Sequence, residues 1–330
     1  MTLTPDQFTE MSKRLQEVRE EIGRFIVGQE EAVEFSLYAI LADGHALLEG
    51  LPGLGKTMLI RTISEVLDLS FSRIQFTPDL MPSDITGTSL IERDANGKQH
   101  FSFKEGPIFH QMVLADEINR ATPKTQSALL EAMGEKTVTI LGETKSMARP
   151  FFVLATQNPI EMEGTYPLPE AQMDRFLCKI LVAYPNRAEL AEISRRTTGA
   201  QTIELEKKMT GLELLEAQQL VKSVMIAEDI LMVAVDIIQN TNPLESEIGQ
   251  IREFVQYGSG PRGLQSLIRL AKARALVEGR FHVSISDLKH VAKPALRHRL
   301  LLNYEGEASG ASADELVGQI TEIAGKGVLK

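Results

Sequence analysis

The sequence is poor in cysteine, in long apolar runs and in net positive charge. Its 330 residues include one cysteine, Cys178, so no intrachain disulfide can form and the cysteine usage gives no sign of an oxidising compartment. No apolar stretch approaches the ~20 residues of a membrane-spanning helix, and the N-terminus lacks a signal-peptide pattern. We therefore expect a cytoplasmic protein without a membrane span, and a buried Cys178 that packs as a small hydrophobic residue.

The excess of acidic residues bears on the class of partner. The chain has 45 Asp and Glu against 35 Lys and Arg, a formal net charge of −10. This balance argues against a general affinity for nucleic acid or anionic membranes, although a local basic patch would be compatible with it. With 43% hydrophobic residues, the chain can form a large core, and its length predicts two domains at roughly 100–200 residues each.

The first half of the chain alternates strand-like and helix-like patterns. A capping sequence at Thr4 to Gln7 precedes apolar residues at steps of three and four, which predicts a first helix that continues to Phe25. Short apolar runs predict strands at residues 45–49, 71–76, 112–115, 151–155 and 177–182. Strands that alternate with helices predict an α/β core, here a parallel five-stranded sheet with helices on both faces.

Two segments depart from this alternation and predict β-hairpins. In the first, residues 90–95 and 98–103 flank Asn96-Gly97, the strongest short-range hairpin signal. In the second, residues 136–141 and 144–147 flank Gly142-Glu143. Their charges are mixed, whereas a hairpin that grips nucleic acid is expected to be strongly basic.

The second half of the chain is predicted to be helical. Strand patterns almost vanish after Tyr184-Pro185-Asn186, which places a domain boundary there and divides the chain into residues 1–185 and 186–330. Pro294 is expected to interrupt a helix, and residues 306–312 are expected to form a surface loop. The run Arg297-His298-Arg299 is interpreted as a helix end.

A glycine-rich segment after the first predicted strand has the pattern of a phosphate-binding loop. It reads Gly50-Leu51-Pro52-Gly53-Leu54-Gly55-Lys56-Thr57. Glycines allow the backbone N–H groups to approach phosphates closely, and the helix that follows directs its positive end towards them. Lys56 is then expected to reach the β- and γ-phosphates and Thr57 to bind Mg²⁺. The alternative is a structural Gly-Pro loop, but the flanking strand and amphipathic helix favour the phosphate-binding interpretation.

Two acids end a later apolar strand and complete the chemistry that such a loop needs. Asp116 and Glu117 follow residues 112–115 directly. At the tip of a strand beside the loop, Asp116 would hold the Mg²⁺ shell and Glu117 would polarise the water that attacks the γ-phosphate. A solvent-exposed strand end with two acids is the alternative, and it is less compatible with a preceding phosphate loop.

Several motifs in order resemble those of the MoxR family of AAA+ ATPases, from about residue 26 to about residue 302. The resemblance is carried by the segment 116–133 (Asp-Glu-Ile-Asn-Arg-Ala-Thr-Pro at its start), by Ala155-Thr156-Gln157-Asn158-Pro159, by residues 166–176 and by Gly260-Pro261-Arg262. It implies an AAA+ core followed by a smaller all-helical lid domain. The two hairpins then correspond to the helix-2 and pre-sensor-1 inserts of this branch.

The resemblance also implies roles for residues outside the loop. Asn158 corresponds to sensor 1, which orients the attacking water with Glu117. Arg175 corresponds to an arginine finger that enters the site of a neighbouring subunit, although an ordinary ion-pairing arginine is the alternative. Arg262 corresponds to sensor 2, and whether it acts in the same subunit or across an interface stays open. Val27 and Gly28 correspond to the segment that lines the adenine pocket.

The implied function is ATP hydrolysis, with Mg²⁺, by a homo-oligomeric ring that is hexameric in the family. The resemblance implies chaperone-like remodelling of a separate client protein, often one with a von Willebrand factor A domain. A nucleic-acid-associated AAA+ motor is the main alternative, and the acidic balance and mixed hairpin charges argue against it. A GTPase-like switch or small-molecule kinase is a third possibility, which a helical lid with an arginine at the sensor 2 position disfavours.

Overall fold

A computed structural model describes residues 5–93, 99–140, 142–159, 165–198 and 204–325. The first half of the chain runs through α1 (Pro5–Phe25), α2 (Glu30–Leu41), β1 (Ala46–Glu49), α3 (Lys56–Val66), β2 (Phe71–Gln75), α4 (Pro82–Thr86), β3 (Gly87–Arg93), β4 (Gln99–Glu105), β5 (Met112–Asp116), α5 (Pro123–Glu135), β6 (Thr137–Ile140), β7 (Glu143–Ser146), β8 (Phe152–Gln157), α6 (Glu170–Met173) and β9 (Cys178–Leu181). The second half runs through α7 (Arg187–Thr198), α8 (Gly211–Ser223), α9 (Glu228–Gln239), α10 (Gly249–Phe254), β10 (Val255–Tyr257), α11 (Pro261–Val277), α12 (Ile285–Leu296), β11 (Leu301–Leu302), α13 (Tyr304–Ser309) and α14 (Ala313–Ile323).

The central sheet has five parallel strands in the order β2-β5-β8-β1-β9, which confirms the predicted α/β core. Every residue of β5 is buried, as expected for a strand covered on both faces. Because all five strands are parallel, their carboxyl ends meet at one edge of the sheet, here called the carboxyl edge, and their amino ends meet at the opposite amino edge. Cys178, at the start of β9, is fully buried, and burial raises the pKa of its thiol to about 12.

Both predicted hairpins are present as antiparallel pairs, β3 with β4 and β6 with β7. The predicted turn at Asn96-Gly97 lies outside the described residues. In the second hairpin Gly142 has φ +85°, a left-handed conformation that glycine adopts without steric cost. The hairpins touch each other, since the Lys145 ammonium lies 4.7 Å from the ring centroid of Phe103.

The second half is helical, with one addition that the sequence did not predict. A short antiparallel pair joins β10 to β11. Two local expectations were wrong. Helix α12 continues through Pro294 to Leu296, because the proline lies in the last turn, where it removes one hydrogen bond while its side chain is buried. Of residues 306–312, which were expected to form a loop, 306–309 lie in helix α13 and only 310–312 connect it to α14. The Asn303 side chain accepts a hydrogen bond from the Gly306 N–H at the start of α13.

Helix α1 packs on α2 and α3 of the core and also on α11 of the helical half. The Ser12 hydroxyl donates to the carbonyl of Val277 over 3.0 Å, and Arg14 forms an ion pair with Glu213. One hydrophobic cluster therefore runs through both halves, and the boundary at residues 185/186, within the connection between β9 and α7, stays a prediction. Among the helices of the described residues, none is both long and apolar enough to cross a bilayer.

Candidate nucleotide site

The glycine-rich loop lies at the carboxyl edge, between β1 and α3. Gly53 and Gly55 have φ +82° and +76°, values that L-residues with a Cβ adopt at a steric cost. Gly55 is the N-cap of α3, and Lys56 begins the helix. The two glycines therefore let the chain turn tightly into the helix, whose unpaired N–H groups and positive dipole end form an anion-binding position.

Lys56 is folded over this loop. Its side chain is buried, and its Nζ donates to the carbonyl of Gly50 over 2.5 Å. Burial lowers the pKa of the Lys56 ammonium, and the nearby carboxylates of Asp116, Glu117 and Glu49 act in the opposite direction. The side chain is thus held between the loop and the acids at the end of β5.

Thr156 ties the two predicted catalytic acids together. Its hydroxyl donates to Asp116 Oδ1 over 2.6 Å and accepts a hydrogen bond from the Glu117 backbone N–H over 2.8 Å. The other Asp116 oxygen, Oδ2, accepts hydrogen bonds from Arg73 Nη2 (2.7 Å) and Nε (3.1 Å). Glu117 has φ +57°, which for a residue with a side chain costs about 1–3 kcal/mol and is typical of functional sites.

The Glu117 carboxylate is held by two donors from different elements. Gln75 Nε2, at the end of β2, donates to Oε2 over 2.8 Å, and Arg120 Nη1 donates to the same oxygen over 3.0 Å. Glu117 is therefore fixed on both sides, by a neighbouring strand and by the turn that follows β5.

Asn158 reaches the same edge from β8, which lies between β5 and β1. It is buried and directly follows Gln157, whose carbonyl accepts a hydrogen bond from the Gly50 N–H over 3.4 Å. The structure thus brings Asn158 to a position between the glycine loop and the acidic pair. These contacts place Lys56, Asp116, Glu117 and Asn158 at one edge of the sheet.

A cavity of about 630 Å³ lies beside the loop and is of a size that suits a nucleotide base and sugar. The cavity is lined by the segment before α2, by the glycine-rich loop, by the segment before α7 and by α7 itself. The lining residues include Val27, Pro52, Leu54, Tyr184 and Ile193. Gly28 has φ +71°, and a Cβ there would lie 2.5 Å from the Glu189 carboxyl carbon, so α7 packs closely on this segment. The residues expected at the adenine pocket are thus adjacent to the phosphate loop.

Arg175 and Arg262 lie elsewhere. Both line a cleft of about 340 Å³ at the amino edge, with Asp174, Arg269 and Arg299. Arg175 Nη1 donates to the Leu130 carbonyl over 2.6 Å, and Arg262 Nη1 is 3.5 Å from Asp174 Oδ2.

The sheet register separates this cleft from the glycine loop. Ala46, the first residue of β1, is paired with Cys178, the first residue of β9, and Arg175 lies before that point while Gly50 follows the last residue of β1. Four strand residues span about 13 Å. The two arginines are therefore brought together with each other and held away from the loop of their own chain.

Several residues of the site were not predicted from the sequence. The acidic pair is contacted by four such residues, Gln75, Arg73, Arg120 and Thr156. All of them except Arg120 lie about forty residues from the pair along the chain. The strand order β2-β5-β8 brings them together. Thr156 lies inside a motif that carried the family resemblance, so that motif was the one signal that pointed to it.

Comparison with known proteins agrees with this geometry. Residues 45–178 match the model of the ATPase family associated with various cellular activities (AAA), and residues 250–320 match the model of the AAA lid domain. A crystal structure of a provisionally named ATPase from Cytophaga hutchinsonii superposes with a TM-score of 0.90 at 40% identity, over 96% of each chain.

Three curated relatives are similar over most of their length. The uncharacterised protein YeaC of Bacillus subtilis is 43% identical over 91% of each chain. Chaperone MoxR1 of Mycobacterium tuberculosis is 41% identical over 92% of this chain and 79% of its own. Protein MoxR of Methylorubrum extorquens is 29% identical over 86% of each chain. With the sheet order, the glycine loop, the acidic strand end and the helical lid, these similarities show that the chain belongs to the MoxR family of AAA+ ATPases.

Proposed function

We propose that the protein hydrolyses ATP at a site shared between adjacent copies of the chain, and that it uses this reaction to remodel or mature a separate partner protein. One observation carries the proposal. The loop, the acidic pair and Asn158 lie at the carboxyl edge of the sheet, whereas Arg175 and Arg262 lie together at the amino edge. Arginines so far from their own phosphate loop can serve a phosphate only on another copy.

Residues 50–57 bind the phosphates in this proposal, with Lys56 contacting the β- and γ-phosphates and the segment Val27-Gly28 next to the base. Mg²⁺ is usually held by one or two protein oxygens together with substrate phosphates. The Thr57 hydroxyl in the first turn of α3 and the Asp116 carboxylate at the end of β5 are a fitting oxygen donor set. When bound, Mg²⁺ supplies positive charge to the phosphate oxygens.

Glu117 acts as the general base that polarises the attacking water, and Asn158 orients that water. The carboxylate accepts hydrogen bonds from Gln75 and Arg120, which limit the directions in which it can accept a proton. Its backbone is fixed by Thr156. Gln75 on β2 and Thr156 on β8 thus hold Glu117 from the two strands that flank β5. A base held in this way loses little orientational freedom when the substrate binds.

The second half of the site comes from the next copy. Arg175 and Arg262 approach the γ-phosphate in trans and stabilise the charge that develops on it, as arginine fingers do in phosphoryl transfer. The Arg262 side chain is 60% exposed, which leaves it accessible to a neighbouring subunit. A closed ring, hexameric as in the family, gives every loop such a neighbour.

The partner protein is inferred from the relatives. MoxR1 of M. tuberculosis is named a chaperone, and we extend that role to this chain, with a client that can carry a von Willebrand factor A domain. Purified Glu117→Gln protein loaded with ATP is the bait of choice for such a client, because it retains the nucleotide-bound state. The client should be retained with ATP and released with ADP; equal retention in both states contradicts nucleotide-coupled remodelling.

A mixing experiment tests the shared site. Arg175→Ala should lower turnover by at least about a hundredfold, since trans arginines contribute about 10³–10⁵ in related enzymes. Lys56→Ala should also be inactive. Mixed assemblies should regain part of the activity, because an intact loop on one copy then meets an intact Arg175 on the next.

The matched control is a mixture of Lys56→Ala with Glu117→Gln. These two variants damage the same half of the site, so mixing them should restore nothing. Native mass spectrometry verifies that subunits exchange. Verified mixed rings of Arg175→Ala and Lys56→Ala without activity would overturn the shared site.

A further inference from the structure

Arg299, in the lid just after α12, is bound to the loop that carries Arg175. The Arg299 side chain is 3% exposed. A guanidinium has five N–H donors, and here each has an acceptor. These are the Asp174 carboxylate (2.7 Å), the carbonyls of Asp174 (3.2 Å), Phe176 (2.7 Å) and Leu177 (3.3 Å), and the carbonyl of Ala295. Four of the five acceptors belong to the segment 174–177.

Asp174 extends this contact to Arg262. One oxygen of its carboxylate accepts from Arg299 Nε, and the other lies 3.5 Å from Arg262 Nη1. The side chains are 3% exposed for Arg299, 31% for Asp174 and 60% for Arg262. The three residues therefore form a chain of contacts that begins at the buried Arg299 and ends at the exposed Arg262.

Helix α11, which carries Arg262, also packs against the Arg299 side chain. Gly263 follows Arg262, and a Cβ at that position would lie 1.8 Å from Ser259 Oγ and 3.2 Å from Arg299 Cδ, both closer than side chains normally pack. The absence of a side chain there lets the Arg299 stem run against the first turn of α11. The same guanidinium thus fixes the backbone on both sides of Arg175 and borders the helix start that presents Arg262.

We propose that Arg299 is a positioning residue that locks the Arg175 loop to the lid and, through Asp174, sets the direction of Arg262, so that both arginines reach the neighbouring copy as one unit. This inference rests on the proposed function, in which both act in trans. It adds to that function a positioning residue: Arg299, which is buried in the lid and contacts no nucleotide, sets the positions of Arg175 and Arg262.

Arg299→Lys tests the proposal because it keeps the positive charge and loses the planar fork. A lysine has three donors on a flexible stem and cannot satisfy acceptors spread over four residues. We expect the affinity for ATP, measured by titration with a fluorescent analogue, to stay within about twofold. Turnover should fall at least about tenfold, since a misplacement of about 1 Å can cost about a hundredfold in rate.

Arg297→Lys is the matched control. Arg297 is also a buried lid arginine, 6% exposed, but its carboxylate partner is Asp314 on α14, at 2.8 Å, and its contact with the core is the carbonyl of Lys179 within β9. It therefore shares the burial and the ion pairing of Arg299 without touching residues 174–177. Its turnover should stay within about threefold of the parent protein.

Mixed assemblies separate positioning from damage to the fold. Arg299→Lys has an intact loop and a defective arginine side, so Lys56→Ala subunits should restore its activity and Arg175→Ala subunits should not. A subunit that is merely misfolded binds ATP poorly and is not restored by Lys56→Ala.

The outcomes separate this inference from the shared site itself. If Arg175→Ala is restored by Lys56→Ala but Arg299→Lys is not, the positioning role is wrong and the shared site stands. If neither variant is restored in verified mixtures, the shared site fails. Turnover of Arg299→Lys equal to that of the parent would also overturn the positioning role.

Discussion

Gln75 Nε2 donates a hydrogen bond of 2.8 Å to the carboxylate of Glu117. Gln75 is the last residue of β2, and Glu117 directly follows the neighbouring strand β5. Gln75 is paired with Asp116 in the register of β2 and β5, which explains why its amide reaches the next residue along. The same strand also holds Asp116 through Arg73, so β2 positions both acids of the proposed site.

Removing that amide should change basal turnover. The amide holds Glu117 Oε2 from the neighbouring strand, so its removal gives the carboxylate a wider range of orientations. In Gln75→Ala we therefore expect ATP hydrolysis without a partner to fall about tenfold at unchanged ATP affinity, measured by phosphate release, because the base is no longer oriented towards the attacking water. Gln111→Ala, at the amino edge, is the control. Turnover of Gln75→Ala at or above the level of the parent would show that Gln75 does not orient the base.

Glu117→Gln should separate binding from chemistry. The amide preserves the shape of the side chain but cannot accept the proton of the attacking water, so turnover should fall at least about a hundredfold. ATP should stay bound, as measured by retention of labelled nucleotide through gel filtration. Glu131→Gln, on the exposed face of α5, is the control and should behave as the parent. Full turnover by Glu117→Gln would contradict the assigned base.

Thr57→Val should weaken the dependence of nucleotide binding on Mg²⁺. Valine has nearly the shape of threonine without the hydroxyl proposed to bind the ion. We expect the gain in ATP affinity on adding Mg²⁺ to shrink about tenfold, with affinity in EDTA unchanged. Thr62→Val removes a hydroxyl about 7.5 Å further along the same helix and serves as control. Identical Mg²⁺ titrations for Thr57→Val and the parent would exclude the ligand role.

The lid should lose stability in acid through one buried carboxylate. Asp287 is fully buried and pairs with Arg274 and Arg280. Burial raises the pKa of Asp287, but hydrogen bonds from Arg280, Ser284 and Arg274 outweigh it, so the pKa falls from 3.8 to about 2. Because the folded pKa is depressed, this stabilisation is present above pH 4 and is lost as the pH falls towards 2.

Guanidinium unfolding at pH 7 and at pH 3 measures this effect. The difference in unfolding free energy between the two pH values should be smaller in Asp287→Asn than in the parent, by on the order of 1 kcal/mol over this part of the titration. The variant should itself be destabilised by about 3 kcal/mol at pH 7, since two arginines lose their buried counter-charge. Equal pH dependence in both proteins would contradict the assignment.

The sequence predicted the parts of the site that local pattern determines. Apolar runs located the strands, and the glycines and paired acids at their ends indicated phosphate chemistry. The sequence could not predict the contacts of Glu117 with Gln75 or of Asp116 with Thr156, because they depend on strand order, which no local pattern specifies. The run Arg297-His298-Arg299 shows the same limit: it ends a helix as expected, but the core carbonyls that these three residues contact lie some 120 residues earlier.

Pro294 shows how burial overrides a local rule. Proline removes one hydrogen bond from a helix, and this supported the expectation of an interruption. In α12 the residues around it, including Val291, Ala292 and Ala295, are buried against the rest of the lid. At about 25 cal/mol per Å² of apolar surface, burial of that face outweighs a single lost bond in the last turn.

The contact between Lys145 and Phe103 joins two hairpins that are some forty residues apart in the sequence. This contact connects the two hairpins, and the second hairpin continues directly from α5. That helix provides the Leu130 carbonyl to which Arg175 is bonded. Because α5 lies between the hairpins and Arg175, we expect a force on the hairpins to be transmitted along α5 to the arginine that is proposed to act on the next subunit.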